Sequence, residues 1–127
     1  MAGNLSDYLE DKVLDHILGT TTYTKPSAVY LALYTTTPTD STSGTEVSGG
    51  SYARQLITFG ASSSGAASNN TSVDFSLMPA CTVTGVAVCD AQTSGHILVY
   101  GSLSSSKTLA ANDTLRVSSG DLSISIN

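Results

Sequence analysis

The run Val29-Tyr30-Leu31-Ala32-Leu33-Tyr34, followed by a Gly/Ser/Thr-rich stretch that closes on Thr45-Glu46-Val47-Ser48-Gly49-Gly50-Ser51-Tyr52-Ala53-Arg54-Gln55, decides the fold. Side chains of an extended strand alternate between its two faces, so a segment apolar at every position reads as a strand buried on both sides. The stretch after it reads as a loop returning into a second, Tyr-x-Arg strand. Residues 28–34 and 86–88 share this doubly apolar character and need cover on both faces, from a helix, a second sheet or another subunit. That demand exceeds what a lone compact copy is expected to supply, so neighbouring subunits are expected to complete it. Leu122, Ile124 and Ile126 instead alternate with Ser123, Ser125 and Asn127, which sets one face on the core and the other in water.

Working outward, further strands are expected near 28–35, 52–59, 72–77, 83–89, 96–103, 113–118 and 121–126, punctuated by Gly, Ser, Asn and Asp clusters. Asn112-Asp113 and Ser119-Gly120-Asp121 are tight-turn signals. The stretches 35–51 and 60–72 read as long, nearly uncharged loops. One helix is expected over 5–18: Leu5, Tyr8, Leu9, Val13, Ile17 and Leu18 keep a three-to-four-residue apolar period, Asp7, Glu10, Asp11 and Asp15 take the other face, and Gly19 caps the end. The fold class is mainly β, an antiparallel β-sandwich or compact barrel preceded by one N-terminal α-helix. A single domain spans 1–127, with the helix at 5–18 and the β domain at 28–126.

Charged residues make up only 12% of the chain, and 21 Ser with 17 Thr supply the remaining polarity. A net charge of −5 with Lys12, Lys25, Arg54, Lys107 and Arg116 scattered offers no basic stripe for a phosphate backbone, so no nucleic-acid partner is expected. No apolar run approaches the roughly 20 residues that span a bilayer, and the start has no basic region followed by an apolar one, so no membrane partner is expected and assembly in a cytosol is. Cys81 and Cys89 lie eight positions apart, roughly 26 Å along one strand, which predicts free, buried thiols.

Motifs with catalytic spacing are weak here. Gly101 to Thr108 loosely matches a phosphate loop, but Ser106 replaces the second glycine and no helix follows. Ser104 and Lys107 have the spacing of an acyl-enzyme pair without its companion motifs. His16 and His96 have no metal-ligand spacing, and the Asn-x-Ser/Thr matches at Asn4, Asn69 and Asn112 are accidents of composition. No catalytic, cofactor or metal residue is expected. The candidates are interaction residues: Asp7, Asp11 and Asp15, spaced to form an acidic stripe that docks a basic neighbour, and Tyr23, Tyr34 and Tyr52, because tyrosine suits partly wet contacts.

The run 29–35 with Pro38-Thr39-Asp40, then Gly44-Thr45-Glu46-Val47, Gly49-Gly50-Ser51-Tyr52-Ala53-Arg54-Gln55 and Phe59-Gly60, resembles a family of small tailed-bacteriophage virion proteins. Its members are commonly labelled tail fibre proteins, and some proteins of this look are capsid decoration (cement) proteins. The resemblance continues through Asp15-His16, Gly101-Ser102-Leu103, Lys107, Asp113-Thr114-Leu115-Arg116 and Gly120-Asp121-Leu122, and departs at Met78-Pro79-Ala80-Cys81, at Cys89 and in the absence of Trp. Glu46 and Arg54 fall in its best-matched segment and are expected to form an ion pair that pins the loop to the strand.

The resemblance implies a non-enzymatic virion protein. The favoured expectation is a decoration protein on the capsid exterior, binding the major capsid protein as a homo-oligomer, a trimer above all. The alternative is a short tail or tail-fibre component, with host-surface binding as an added role. A carbohydrate-binding sandwich is disfavoured, since its aromatic platforms are missing.

Overall fold

A computed structural model describes residues 2–126. Its elements are β1 (Ala2–Leu5), α1 (Asp7–Leu18), β2 (Val29–Thr36), β3 (Thr45–Glu46), β4 (Gln55–Ile57), β5 (Ala66–Ser68), β6 (Val73–Met78), β7 (Cys81–Cys89), β8 (Ile97–Leu109), β9 (Asp113–Val117) and β10 (Ser123–Ser125). The main sheet runs β3-β2-β7-β8-β1-β10-β5, with β4 on the same edge of β2 as β3; β6 and β9 form a separate ribbon. All pairs are antiparallel except β1 with β10. Just beyond β4, Phe59 bridges Asn69 and the Gly60 N–H donates to the Ser68 carbonyl at 3.0 Å. Pairing therefore passes from β2 through β4 to β5, which joins the two ends of the sheet into a rolled, barrel-like layer.

The doubly apolar strands are covered within the single chain. Leu31, Leu33, Val86 and Val88 enter the main core, to which the ribbon adds Val73, Phe75, Met78 and Val117. Ala32, Tyr34, Ala87 and Cys89 form a smaller core on the opposite face, with Ile97 and Tyr100 packed against it. The segment after β2 also lies along the sheet: Pro38 is buried, the Thr37 and Thr84 hydroxyls are 3.2 Å apart, and Tyr100 donates its hydroxyl hydrogen to Asp40. The expectation that these strands need a second subunit is thus corrected.

A close approach explains one glycine. A Cβ on buried Gly85 would run into the Thr37 side chain and stand 2.9 Å from the Gly101 carbonyl oxygen. Gly85→Ala is expected to cost about 1–3 kcal/mol through overpacking, read as a lowered thermal midpoint; an unchanged midpoint would show that the Thr37 segment yields freely.

Boundaries shift where tertiary pairing intervenes. The helix starts at Asp7 rather than Leu5, because Leu5 pairs with Val99 and Ser6 caps the helix, its Oγ accepting the Leu9 N–H at 3.3 Å. Gly19 caps the other end at φ 91°, its N–H reaching the Asp15 carbonyl. No helix residue is buried, and Ile17 and Leu18, expected inside, are 71% and 75% exposed. The loops expected at 35–51 and 60–72 contain β3 and β5. Of the segment expected as a strand over 52–59, only 55–57 forms one, followed by the isolated bridge at Phe59, and β8 runs on to Leu109. Cys81 and Cys89 lie on one strand as free thiols, half-buried and buried, and burial pushes both above the ordinary thiol range.

Candidate functional site

The Tyr-x-Arg segment folds back on the strand before it. Arg54 donates to both carboxylate oxygens of Glu46, Nε to Oε2 at 3.0 Å and Nη2 to Oε1 at 2.9 Å. Its Nη1 donates to the carbonyls of Ala91 at 2.9 Å and Ser94 at 2.8 Å, in the turn between β7 and β8. Tyr52 donates its hydroxyl hydrogen to Glu46 Oε2 at 2.6 Å and accepts the Leu33 N–H at 3.0 Å. That N–H falls where β4 has ended along β2 and β3 has not begun, so the phenol replaces a missing ladder partner. Its ring stacks on Phe75 with centroids 5.9 Å apart.

The electrostatics follow from this geometry. Burial works to raise the Glu46 carboxyl, but the hydrogen bonds from Arg54 and Tyr52 and the Arg54 charge together outweigh it and hold the group below its ordinary value. Burial first, then the bond to Glu46, pushes the Tyr52 phenol up. Tyr34 is also pushed up, mainly by burial, and at 3% exposure it serves the small core and offers no surface to a partner. Glu46, Tyr52 and Arg54 therefore form a clamp joining β2, β3, the segment before β4 and the β7–β8 turn.

The other candidates gather at the helix. Ser6 donates its N–H to the Leu98 carbonyl at 2.9 Å and its hydroxyl to that of Ile97 at 2.6 Å, anchoring α1 at the start of β8. Tyr8 stacks on His96 at 3.9 Å between centroids, and His96 meets Asp90 at 3.3 Å. Tyr23 is half-buried, its N–H donating to His16 Nδ1 at 3.2 Å. Asp15 is spent locally: its carbonyl caps the helix and its carboxylate accepts the Thr20 hydroxyl at 2.9 Å. Tyr8, Leu9, Lys12 and Val13 are half-buried, whereas Asp7, Glu10, Asp11, Leu14, Ile17 and Leu18 are exposed. At three-and-four spacing those six form one outward face, acidic in its first half and apolar in its second.

A second surface lies at the far end of β8. After Leu109 the chain turns through Asn112, at φ 71°, with the Asp113 N–H donating to the Ala110 carbonyl at 3.1 Å. β9 then pairs with β6 and not with β8, so the two strands splay. Between them is a cleft of about 540 Å³ whose apolar wall includes Leu33, Val83, Leu103 and Leu115 and whose rim carries Lys107 and Arg116. Arg116 is held by Asp74, Nε to Oδ1 at 2.7 Å, and Asp121 also lines the cleft. Lys107 takes no part in the ion pairs among the described residues.

Asn69, dismissed as a chance glycosylation match, is a buried junction. Its amide donates to the carbonyls of Thr71 at 2.9 Å and Ser118 at 3.0 Å, and its Oδ1 accepts the Leu122 N–H at 2.9 Å. Two of those partners lie about fifty positions away in sequence, beyond any local signal.

Among the described residues no group of three His, Cys, Asp or Glu side chains could hold a metal ion, and no helix is long and apolar enough to cross a membrane. The polar side chains that converge, those of Glu46, Tyr52, Arg54 and Asn69, bind one another and neighbouring backbone. A family described as podophage GP4 fiber I protein gp80 matches residues 4–125. No curated protein matches the chain.

Proposed function

The chain belongs to the podophage GP4 fiber I protein gp80 family, and on that premise we propose that it is a non-catalytic structural subunit of the virion, built into a fibre of the tail. The family match over nearly the whole chain carries this reading. The fold is consistent with it: the polar side chains that converge, Glu46, Tyr52, Arg54 and Asn69, are all engaged in holding strands and loops together.

Decoration of the capsid exterior through the major capsid protein is the second reading. One observation favours it: the described residues roll into a compact domain with both faces of its central strands covered. Labelling of purified particles with antibody against this chain separates the two. Signal at the tail is the expected result, signal over the shell supports decoration, and particles lacking the chain would overturn both.

A further inference from the structure

We propose that copies of this chain exchange the arm formed by residues 2–18, so that β1 and α1 of one copy seat on the sheet of a second, which returns its own. The inference rests on the reading of the chain as an assembling virion subunit and specifies how two subunits are joined.

The arm is fastened at few points. β1 fills a slot between β8 and β10, antiparallel to the first at Asn4–Tyr100 and Leu5–Val99 and parallel to the second at Ala2–Ser123 and Gly3–Ile124. Ser6 then reaches the successive carbonyls of Ile97 and Leu98, the Asp7 N–H donates to the Asp40 carbonyl at 3.3 Å, and Tyr8 stacks on His96. Leu5, Tyr8 and Leu9 are half-buried against the core, and no residue of α1 is buried. Without β1, the facing edges of β8 and β10 would lack a partner at this level of the sheet.

The connector leaves the arm free to pass to a neighbour. Residues 19–27 form no strand or helix, and all but Tyr23 and Pro26 are exposed. Among the described residues their hydrogen bonds go to α1, from Gly19, Thr20 and Thr21 to Asp15 and from Tyr23 to His16, and none goes to the sheet. No hydrogen bond of the connector therefore ties the arm to its own copy, and its nine residues reach about 30 Å when extended.

The slot selects its occupant. It takes a strand parallel to one neighbour and antiparallel to the other, then a serine whose N–H and hydroxyl meet two successive carbonyls, then an aromatic ring for His96. A second copy carries that same segment, and an exchanged arm repeats every one of these contacts. What exchange adds lies at the hinge. Leu14, Ile17 and Leu18 are 56%, 71% and 75% exposed, and the chain leaves the helix at Gly19, directly after them. In a reciprocal pair the two connectors cross side by side between the bodies, which brings the last turns of the two helices together, and these residues cover one another. Asp7, Glu10 and Asp11 lie toward the other end of the helix, clear of the crossing. Apolar burial at the crossing offsets the freedom lost when two copies join.

Cross-linking reads the exchange directly. One chain carries Asp7→Cys and another Asp40→Cys, both exposed positions whose backbones are bonded to each other in the fold. The two chains are produced together in one cell, purified at high concentration and treated with a short bismaleimide, and the linked peptides are mapped by mass spectrometry. A bridge from position 7 of one chain to position 40 of the other is expected. Copies that keep their own arms set each introduced thiol beside an aspartate of the same chain and give no such bridge. Asn4→Cys with Tyr100→Cys, joined by direct oxidation, repeats the test at a partner pair of β1 and β8, and a loss of folding in one pair leaves the other to decide. Adding Leu14→Gln/Ile17→Gln/Leu18→Gln to both chains is expected to lower the yield of the bridge at least about tenfold at matched concentration.

The absence of a bridge between chains, or a yield unchanged by the three glutamines, would overturn the proposal. Antibody labelling of particles reads separately, so a chain found on the virion and never bridged would sink the arm exchange and leave the structural role standing.

Discussion

Replacing Asn69 with alanine is expected to lower stability by about 2–4 kcal/mol, an amount usually reserved for large core truncations. The side chain is 2% exposed and makes three hydrogen bonds at 2.9–3.0 Å, joining the end of β5 to the loop before β10. Alanine leaves the buried Leu122 N–H without its acceptor and the Thr71 carbonyl without the Asn69 donor, while the Ser118 carbonyl keeps only the Asp121 N–H at 3.0 Å. The backbone of Asn69 lies in the same junction, receiving the Gly120 N–H at 2.8 Å, so loosening the side chain loosens the seam where the sheet closes. Asn70→Ala is the control: Asn70 is exposed and accepts only the Thr58 hydroxyl, so its loss is expected to cost no more than about 1 kcal/mol. Denaturant unfolding measures both. Equal costs for the two variants would remove Asn69 from its proposed position as a structural junction.

Arg54→Met is the second large effect, about 2–4 kcal/mol. Breaking a buried pair by removing one partner costs about 3–5 kcal/mol, discounted here because Glu46 keeps 28% of its side-chain surface in water. The variant also deprives the Ala91 and Ser94 carbonyls of their donor and frees the β7–β8 turn. A double-mutant cycle with Glu46→Gln should give a coupling above about 1 kcal/mol; additive costs would mean that the pair is merely adjacent.

The pH dependence has a definite sign. The Glu46 carboxyl is lower in the folded chain than in the unfolded one, so its contribution is complete above the ordinary glutamate value, about 4.3, and is lost as pH falls through the folded value. Arg54→Met is expected to flatten that part of the acid limb.

Local physics made several features legible. Gly19 ends the helix because a left-handed residue is needed directly after its last turn, and glycine meets that need without help from elsewhere. Glu46 and Arg54 bracket the loop and lie in the segment best matched to the family, which is what suggested the ion pair that the structure forms. β1 was not legible: Ala2-Gly3-Asn4-Leu5 has no strand pattern of its own and is extended because β8 and β10 flank it. Nor was the outward turn of Ile17 and Leu18, since a helix period states which residues share a face but not how far along its length that face finds a neighbour.

The amino-acid order by itself determined a mainly β chain with one capped helix, strands buried on both sides, and tight turns at Asn112 and Gly120, because each depends on residues close in sequence or on alternation along one strand. Only the tertiary structure decided that one copy covers both faces of β2, that Asn69 is a junction, that β8 and β9 splay after a hairpin-like turn, and that apolar helix residues face water. Those outcomes depend on which distant segments arrive at the same place, and solvent exclusion and backbone hydrogen bonding settle that for the whole chain at once.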